Sequence, residues 1–464
     1  MNRQNEATDR RSFLRSVGGL GAGLALAGPT RGWAESSAKG QRTDQPVPLT
    51  CKPIETVRIG FVGVGSRGGS ILRELLRMKG CRIDAICDII PNRVAESQGA
   101  AVAAGFPKPA GYDRGPEDYR RLCQQDLDLV ITATPWILHT PVCVAALEAG
   151  KHAATEVPAC MTLNECWQLV EASEKARRHC AILENYCYNR DTMCILNMVR
   201  QGLFGDPMHV YAGYQKDSMY YSVNTRGELT DAGKEHVKSM GNCYPTHHVG
   251  PPAQWMDVNR GDAFDYLVSM GNSGEAYNQF VAEIYGKDHP LARQKFDMTD
   301  VSNTLIRTKK GRSIHLNLDT VSPRPHRNYF QLMATRGFYD NIERKVIVLG
   351  RTPGARNPTG HAEYSLVPLD RHFYKDYDHP IWKDLEKQTS ASGHGGTDYL
   401  CFFRLVEALR TGTYPDIDVY DTAAWSSIVE LSEISARNRS KPMDFPDFTR
   451  GAWQTRKPLP IGGA

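Results

Sequence analysis

Short apolar runs alternate with longer amphipathic segments from residue 56 to about residue 185, a rhythm that predicts strands separated by helices. "TVRIGFVGVG" (56–65) reads as a buried strand broken by small residues, ahead of a helix-like "SILRELLRMKG". "CRIDAICDI" (81–89), "LDLVITATP" (127–135), "KHAATEVP" (151–158) and "HCAILENYCY" (179–188) read as further strands. Between them, "HTPVCVAALEAG" predicts a helix closed by Gly150. "TLNECWQLVEASEKARR" predicts another, opened by a Thr162 cap with Glu165 three residues on. Such alternation implies a mostly parallel sheet covered by helices, with ligand-facing residues at the carboxyl ends of the strands. Those ends carry Trp136–His139, Glu156–Val157 and Asn185.

Beyond Asn185 the rhythm changes. "DTMCILNMVRQGLFG" has helical periodicity and ends at Gly202 or Gly205; "DPMHVYAGYQ" follows as a strand. In "VSNTLIRTKKGRSIHLNLDTVSP" two alternating stretches flank Lys-Lys-Gly-Arg, the pattern of a hairpin. "YFQLMATRGFYDNIERKVIVLG" continues in that style, and "GTDYLCFFRLVEALRTG" and "YDTAAWSSIVELSEISARN" read as helices. The expected architecture is α/β: a Rossmann dinucleotide-binding domain over 56–185, then an α+β domain over 186–464 with a mixed, largely antiparallel sheet.

Composition narrows the class. Of 464 residues 41% are hydrophobic and 23% charged, and the formal net charge is only +4, with both signs interspersed; no basic stripe points to nucleic acid. No 18-residue apolar run lies beyond the N-terminus, so no membrane span is expected there. The twelve cysteines form no CxxC, and neither HExxH nor a zinc-like spacing occurs, so no metal site is expected. They read as small buried apolar residues. The N-terminus stands apart. "DRRSFLR" (9–15) precedes the weakly hydrophobic "SVGGLGAGLALAG" (16–28), the layout of a twin-arginine export signal over 1–34. Residues 35–55 read as a linker, and the expected location is the periplasm or beyond.

The turn after the first strand supplies candidate chemistry. Gly63, Gly65 and Gly68 fit G-x-G-x-x-G: a tight turn, close approach of backbone to a pyrophosphate, and close helix–strand packing. Asp88, 20 residues beyond Gly68, ends the second strand. A carboxylate there accepts the ribose hydroxyls and repels a 2′-phosphate, which favours NAD over NADP.

"VGVGSRG", "TPW", "EVP", "ENYCYNRDTMCILNMVRQGLFG", "YPTHHVGP", "DVNRGD", "GHGGTDY" and "DVYD…W" together resemble the glycoside hydrolase family 109 branch of the Gfo/Idh/MocA oxidoreductases, known for α-N-acetylgalactosaminidase activity. The likeness spans nearly all of Val57–Asn438 and continues into "PDFTRG". It implies an NAD shell of Gly63, Gly65, Ser66, Arg67, Gly68, Asp88, Trp136, His139, Glu156, Val157 and Asn185. It implies cleavage of a small glycoside by transient oxidation at the sugar C3 and elimination across C1–C2, instead of by a carboxylate pair. His247 and Tyr244 are then the catalytic candidates, with Tyr214, Lys216 and His326 beside them against the substrate. A C-terminal sheet that often forms subunit interfaces implies a homo-oligomer.

Several positions depart from the family pattern. "RPH" ending at His326 replaces "RPY", Lys216 stands in place of an "HD" pair, and "TPWILH" replaces "TPWEWH". His248 replaces a glycine, and the arginine of a "WR" pair ahead of Tyr244 is missing, with Lys234 and Arg226 as possible substitutes. The cofactor shell is thus closer to the family than the sugar shell. An NAD-dependent sugar or cyclitol dehydrogenase that releases NADH is the alternative activity, and a sugar-binding protein with a relic cofactor site is a third class.

Overall fold

The computed structural model describes Leu49 and residues 51–460, apart from Ala391. The segment read as an export signal lies outside the described residues, as does most of the linker.

Six short strands form the first sheet: β1 (Val57–Val62), β2 (Cys81–Cys87), β3 (Ala110–Tyr112), β4 (Leu129–Thr132), β5 (His152–Thr155) and β6 (Cys180–Ile182). Their order is β3-β2-β1-β4-β5-β6 and every pairing is parallel. Five of the six residues of β1 are buried, as expected of a strand covered on both faces. The chain reverses direction across the sheet between β1 and β4. Their adjacent carboxyl ends open a crevice, the usual place for a ligand in such a sheet.

Local chemistry explains the flanking helices. Thr162 Oγ1 accepts the Glu165 N–H at 3.2 Å and the Glu165 carboxylate accepts the Thr162 N–H at 3.0 Å, the reciprocal cap anticipated for Leu163–Ala176. Among the elements that went unread in the sequence are the Pro91–Ala103 helix and β3. The reading of "HCAILENYCY" as one strand needs correction. β6 stops at Ile182, and Asn185–Tyr188 form a 3₁₀ turn because the buried Glu184 carboxylate captures the Tyr186 N–H at 2.9 Å.

The second sheet is built from β7 (Pro207–Gln215), β8 (Phe264–Gly271), β9 (Val301–Thr308), β10 (Ser313–Asp319), β11 (Arg327–Ala334), β12 (Gly337–Asp340) and β13 (Lys345–Val348), with two-residue edge strands at Val367–Pro368 and Met443–Asp444. From Val367–Pro368 the order runs β13-β12-β11-β7-β10-β9-β8 to Met443–Asp444. Only β7 and β10 pair in parallel; the other pairs are antiparallel. β9 and β10 form the expected hairpin, with Arg307 opposite Ser313 and Gly311 at φ +83° in its turn.

The C-terminal stretch returns to the first sheet. The sequence read as one helix over 420–438 divides into Val419–Ser426 and Ile428–Arg437. The first half packs under the nucleotide half: the Ile182 N–H donates to Thr422 Oγ1 at 3.0 Å and the Ala159 N–H to Ser426 Oγ at 3.3 Å. One apolar core runs from β1 through Trp255 and Trp425 into β11. It ties the crevice at the first sheet to the inner face of the second.

Candidate active site

The turn after β1 is shaped by its glycines. Gly63 sits at φ +86°, a conformation open to glycine at little cost. A Cβ on Gly68 would run into the Gly63 carbonyl oxygen, so the helix Ser66–Leu75 packs onto the strand only without a side chain there. A Cβ on Gly65 would meet only the guanidinium at the end of the Arg93 side chain, at 3.4 Å. Its face is open to an approaching ligand. Asp88 is buried; its Oδ2 accepts the Val64 N–H at 2.9 Å and its Oδ1 the Ile90 N–H at 2.9 Å. The carboxylate therefore braces the glycine turn and retains lone pairs for a ribose. An open glycine cradle, a helix N-terminus and a carboxylate fixed at the end of β2 fit a dinucleotide.

A cavity of about 510 Å³ opens beside this turn, between the strand ends of the first sheet and the inner face of the second. Ser66, Arg67, Trp136, His139, Glu156, Val157 and Asn185 line one side. Tyr214, Lys216, Tyr244, His247 and His326 line the other. Residues from 66 to 326 thus converge on one space. Gly63, Gly65, Gly68 and Asp88 form the adjoining turn.

Arg67 fastens the cofactor side. It bonds Glu156 Oε1 through Nε at 2.9 Å and Asp398 through Nη1 at 2.6 Å. Burial would lower its pKa, but the Glu156 and Asp398 carboxylates outweigh burial and keep it above the ordinary arginine value. Asn185 Nδ2 donates to Asp398 Oδ1 at 2.8 Å, and His394 Nδ1 meets Asp398 Oδ2 at 2.8 Å. The hydrogen bond to Asp398 raises the His394 pKa against the effect of burial. His139 is differently engaged: Nδ1 faces the Pro158 carbonyl at 2.7 Å and Nε2 the Thr134 carbonyl at 2.8 Å. Burial lowers its pKa, so the neutral ring donates its one N–H to one of these carbonyls and is held in the loop, its edge and face toward the cavity.

The opposite side is aromatic. Trp136 stacks on Tyr244 with ring centroids 5.5 Å apart, and Tyr214 lies 5.3 Å from Tyr244 and 5.1 Å from His247. Burial, then the neighbouring Tyr214 and the Glu156 and Glu184 carboxylates, raises the Tyr244 pKa well above its usual value. Tyr244 is a neutral phenol at physiological pH, a hydrogen-bond donor and not a resident base. His248 points into the core with Nε2 2.8 Å from Asn242 Nδ2, and burial pushes its pKa down to about 3.

Sequence reasoning missed Glu184. Its carboxylate is fully buried, and both oxygens lie 2.8 Å from His247 Nδ1. An Nδ1–H donated to this carboxylate leaves the Nε2 lone pair to face the cavity. Glu184 and His247 are 63 residues apart, so no local pattern links them. His394 and Asp398 were also missed as neighbours of the cavity. The proposed substitutes for the absent arginine do not enter it: Arg226 pairs with Glu228 at 2.9 Å and Lys234 with Asp231 at 2.9 Å, all four side chains exposed.

Comparison with known proteins agrees with this layout. Residues 57–183 match the model of the oxidoreductase family with an NAD-binding Rossmann fold, and residues 188–455 match the C-terminal domain of glycosyl hydrolase 109. A glycosyl hydrolase family 109 protein of Solibacter usitatus (strain Ellin6076) is 40% identical over 460 residues, covering 98% of this chain and 100% of the relative. An alpha-N-acetylgalactosaminidase of Shewanella oneidensis is 37% identical over 462 residues, covering 98% of this chain and 99% of the relative. Among solved structures, levoglucosan dehydrogenase in complex with NADH and L-sorbose shares the fold at a TM-score of 0.63 and 17% identity, covering 85% of this chain and 100% of that one. The glycine turn, the two-sided cavity and the full-length relatives lead to one conclusion: the chain belongs to glycosyl hydrolase family 109, its C-terminal domain preceded by an NAD-binding Rossmann domain.

Proposed function

We propose that the protein is an NAD-dependent glycosidase acting on N-acetylhexosaminides of the α-N-acetylgalactosaminide type. The observation that carries this reading is the Glu184–His247 pair, which turns a basic imidazole nitrogen into a cavity bordered by the glycine turn. The cavity has little to offer a glycosidase of the two-carboxylate kind. Among the described residues, Glu156 is its one lining carboxylate, and that group is bound to Arg67; Glu184 sits behind His247.

NAD, when bound, supplies a hydride acceptor for the sugar C3 and returns the hydride at the end of the cycle. The protein's own groups serve the C2 proton; the aglycone oxygen leaves with a proton, and water then adds across C1–C2, its hydroxyl to C1 and a proton to C2. His247 Nε2 accepts the C2 proton, and the Glu184 carboxylate stabilises the imidazolium that forms. The Tyr244 phenol donates a hydrogen bond to a sugar oxygen at which negative charge develops. Trp136 and Tyr214 frame the sugar's apolar face. Arg67, fixed by Glu156 and Asp398, holds the cofactor side in register with the catalytic side.

The test is a panel of α- and β-linked N-acetylhexosaminides followed by mass spectrometry with nicotinamide absorbance. Cleavage that requires NAD without stoichiometric NADH is expected. Net NADH with free sugars and no cleavage would select a sugar or cyclitol dehydrogenase instead.

The same reading includes export by the twin-arginine route, supported by Arg10 and Arg11 ahead of a weak Gly/Ala-rich segment. It also includes a homo-oligomer. The open face of the second sheet presents Tyr211 and Leu305, 37% and 50% exposed. That face offers an apolar surface for a second copy.

A further inference from the structure

We propose that the sugar taken by this cavity carries an anionic substituent, a carboxylate or sulfate ester, bound by Lys216 with His326 beside it. This rests on the glycosidase reading for the identity of the ring and deepens it by fixing the ring's charge.

Lys216 follows the end of β7 and lines the cavity. Its Nζ lies over the rings of Tyr214 and Tyr221, 5.2 and 4.8 Å from their centroids. Those faces attract a cation but do not neutralise it. The nearby acids have other partners. Asp217 is exposed and turns to the Met219 N–H at 3.3 Å; Asp319, across the strand pair, holds Arg324 at 3.0 Å. No carboxylate among the described residues pairs with Lys216. Its pKa is lowered by burial alone, with no acid raising it in return. A partly desolvated ammonium without a counter-charge is costly unless a ligand supplies one.

His326 adds a hydrogen-bonding ring beside the ammonium and no second charge; it lies against the same Tyr214 ring, centroids 6.1 Å apart. Lys216, His247 and His394 each push the His326 pKa down beyond the effect of burial, a mark of their closeness. Arg67, the other strong cation of the cavity, is already neutralised by Glu156 and Asp398. The sugar side is therefore a positive end in a cavity whose single lining carboxylate is engaged elsewhere. A neutral hexosaminide leaves Lys216 unpaired; an acidic one completes it.

The experiment uses the full chain loaded with NAD and titrated by calorimetry with four probes. These are N-acetylgalactosamine, N-acetylgalactosamine 6-sulfate, galactose and galacturonate. The anionic member of either pair should bind roughly ten- to a hundredfold more tightly than its neutral partner, the range for a hydrogen bond to a charged group. The sulfated and carboxylated probes separate the two anion types. Lys216→Met should bring the ratio to within about twofold, Lys216→Arg should restore most of it, and NAD affinity should stay unchanged in both. Lys216→Gln provides a second neutral variant should the methionine disturb folding. Neutral probes that bind as tightly as anionic ones would overturn the proposal. So would an unchanged ratio in Lys216→Met, or a loss of NAD affinity, which would assign the lysine to the cofactor. Binding is read without turnover, so an enzyme that prefers acidic sugars but cleaves no glycoside would contradict the glycosidase reading and leave this inference intact.

Discussion

A single buried hydrogen bond decides what His247 can do. With Nδ1 held 2.8 Å from both Glu184 oxygens, the tautomer is fixed and Nε2 is the nitrogen available to a substrate. Gln at position 184 would offer an amide that either accepts or donates, so the ring would no longer be held to one tautomer. It would also remove the charge that stabilises the imidazolium. For Glu184→Gln we expect kcat for glycoside cleavage to fall about 10²–10⁴-fold. NAD affinity should change by less than about threefold, since a glutamine oxygen can still accept the Tyr186 N–H and keep the turn that carries Asn185. Steady-state kinetics and a fluorescence titration of NAD separate the two effects. An equal loss in both would indicate a general collapse of the site. Tyr244 complements the pair as a neutral donor, because burial raises its pKa well above the usual phenol value.

The element that best tests the cofactor site is the turn between β1 and its helix. Gly65 has a negative φ and open space around its missing side chain, whereas Gly68 is pressed against the Gly63 carbonyl. Gly65→Ala should leave Tm within about 2 °C of wild type and weaken NAD binding about tenfold or more. Gly68→Ala should lower both, because the helix must move off the strand. Thermal unfolding with and without NAD reads the difference, and undiminished NAD affinity in Gly65→Ala would contradict a pyrophosphate at this turn. Features of this kind were legible in the sequence because their causes are local. The glycine turn, the Thr162–Glu165 cap and the β9–β10 hairpin each lie within one short stretch. The misses have non-local or weak causes. β6 was read too long because Glu184 ends it through a side-chain bond that the apolar pattern does not carry. The Pro91–Ala103 helix is rich in alanine and polar residues and buries few side chains, so its periodicity is faint. Most of the expected cavity residues do meet there, yet the partners that orient them come from 63 and 331 positions away, as Glu184 does for His247 and Asp398 for Arg67.

At the scale of the whole molecule, Arg67 joins the two halves. It belongs to the nucleotide turn, while Asp398 belongs to the helix Thr397–Thr411 near the C-terminus. The nucleotide turn and the C-terminal domain therefore share one network, which also holds Asn185 and His394. The twin-arginine route proposed above carries folded proteins, so this network would be complete before any export. Replacing Arg10 and Arg11 with lysine should leave precursor in the cytoplasm, as judged by fractionation and immunoblotting, and unchanged export would contradict that assignment. The central claim is that the two halves cooperate to remove the sugar's C2 proton after transient oxidation at C3. It is tested most directly by NMR of the sugar product after turnover in deuterated water, for wild type and His247→Asn. Wild type should place deuterium at C2 with each cleavage, and His247→Asn should retain NAD while losing cleavage and incorporation together, by about 10²–10⁴-fold. Full cleavage by wild type with protium retained at C2, or near-normal cleavage and exchange in His247→Asn, would contradict the account.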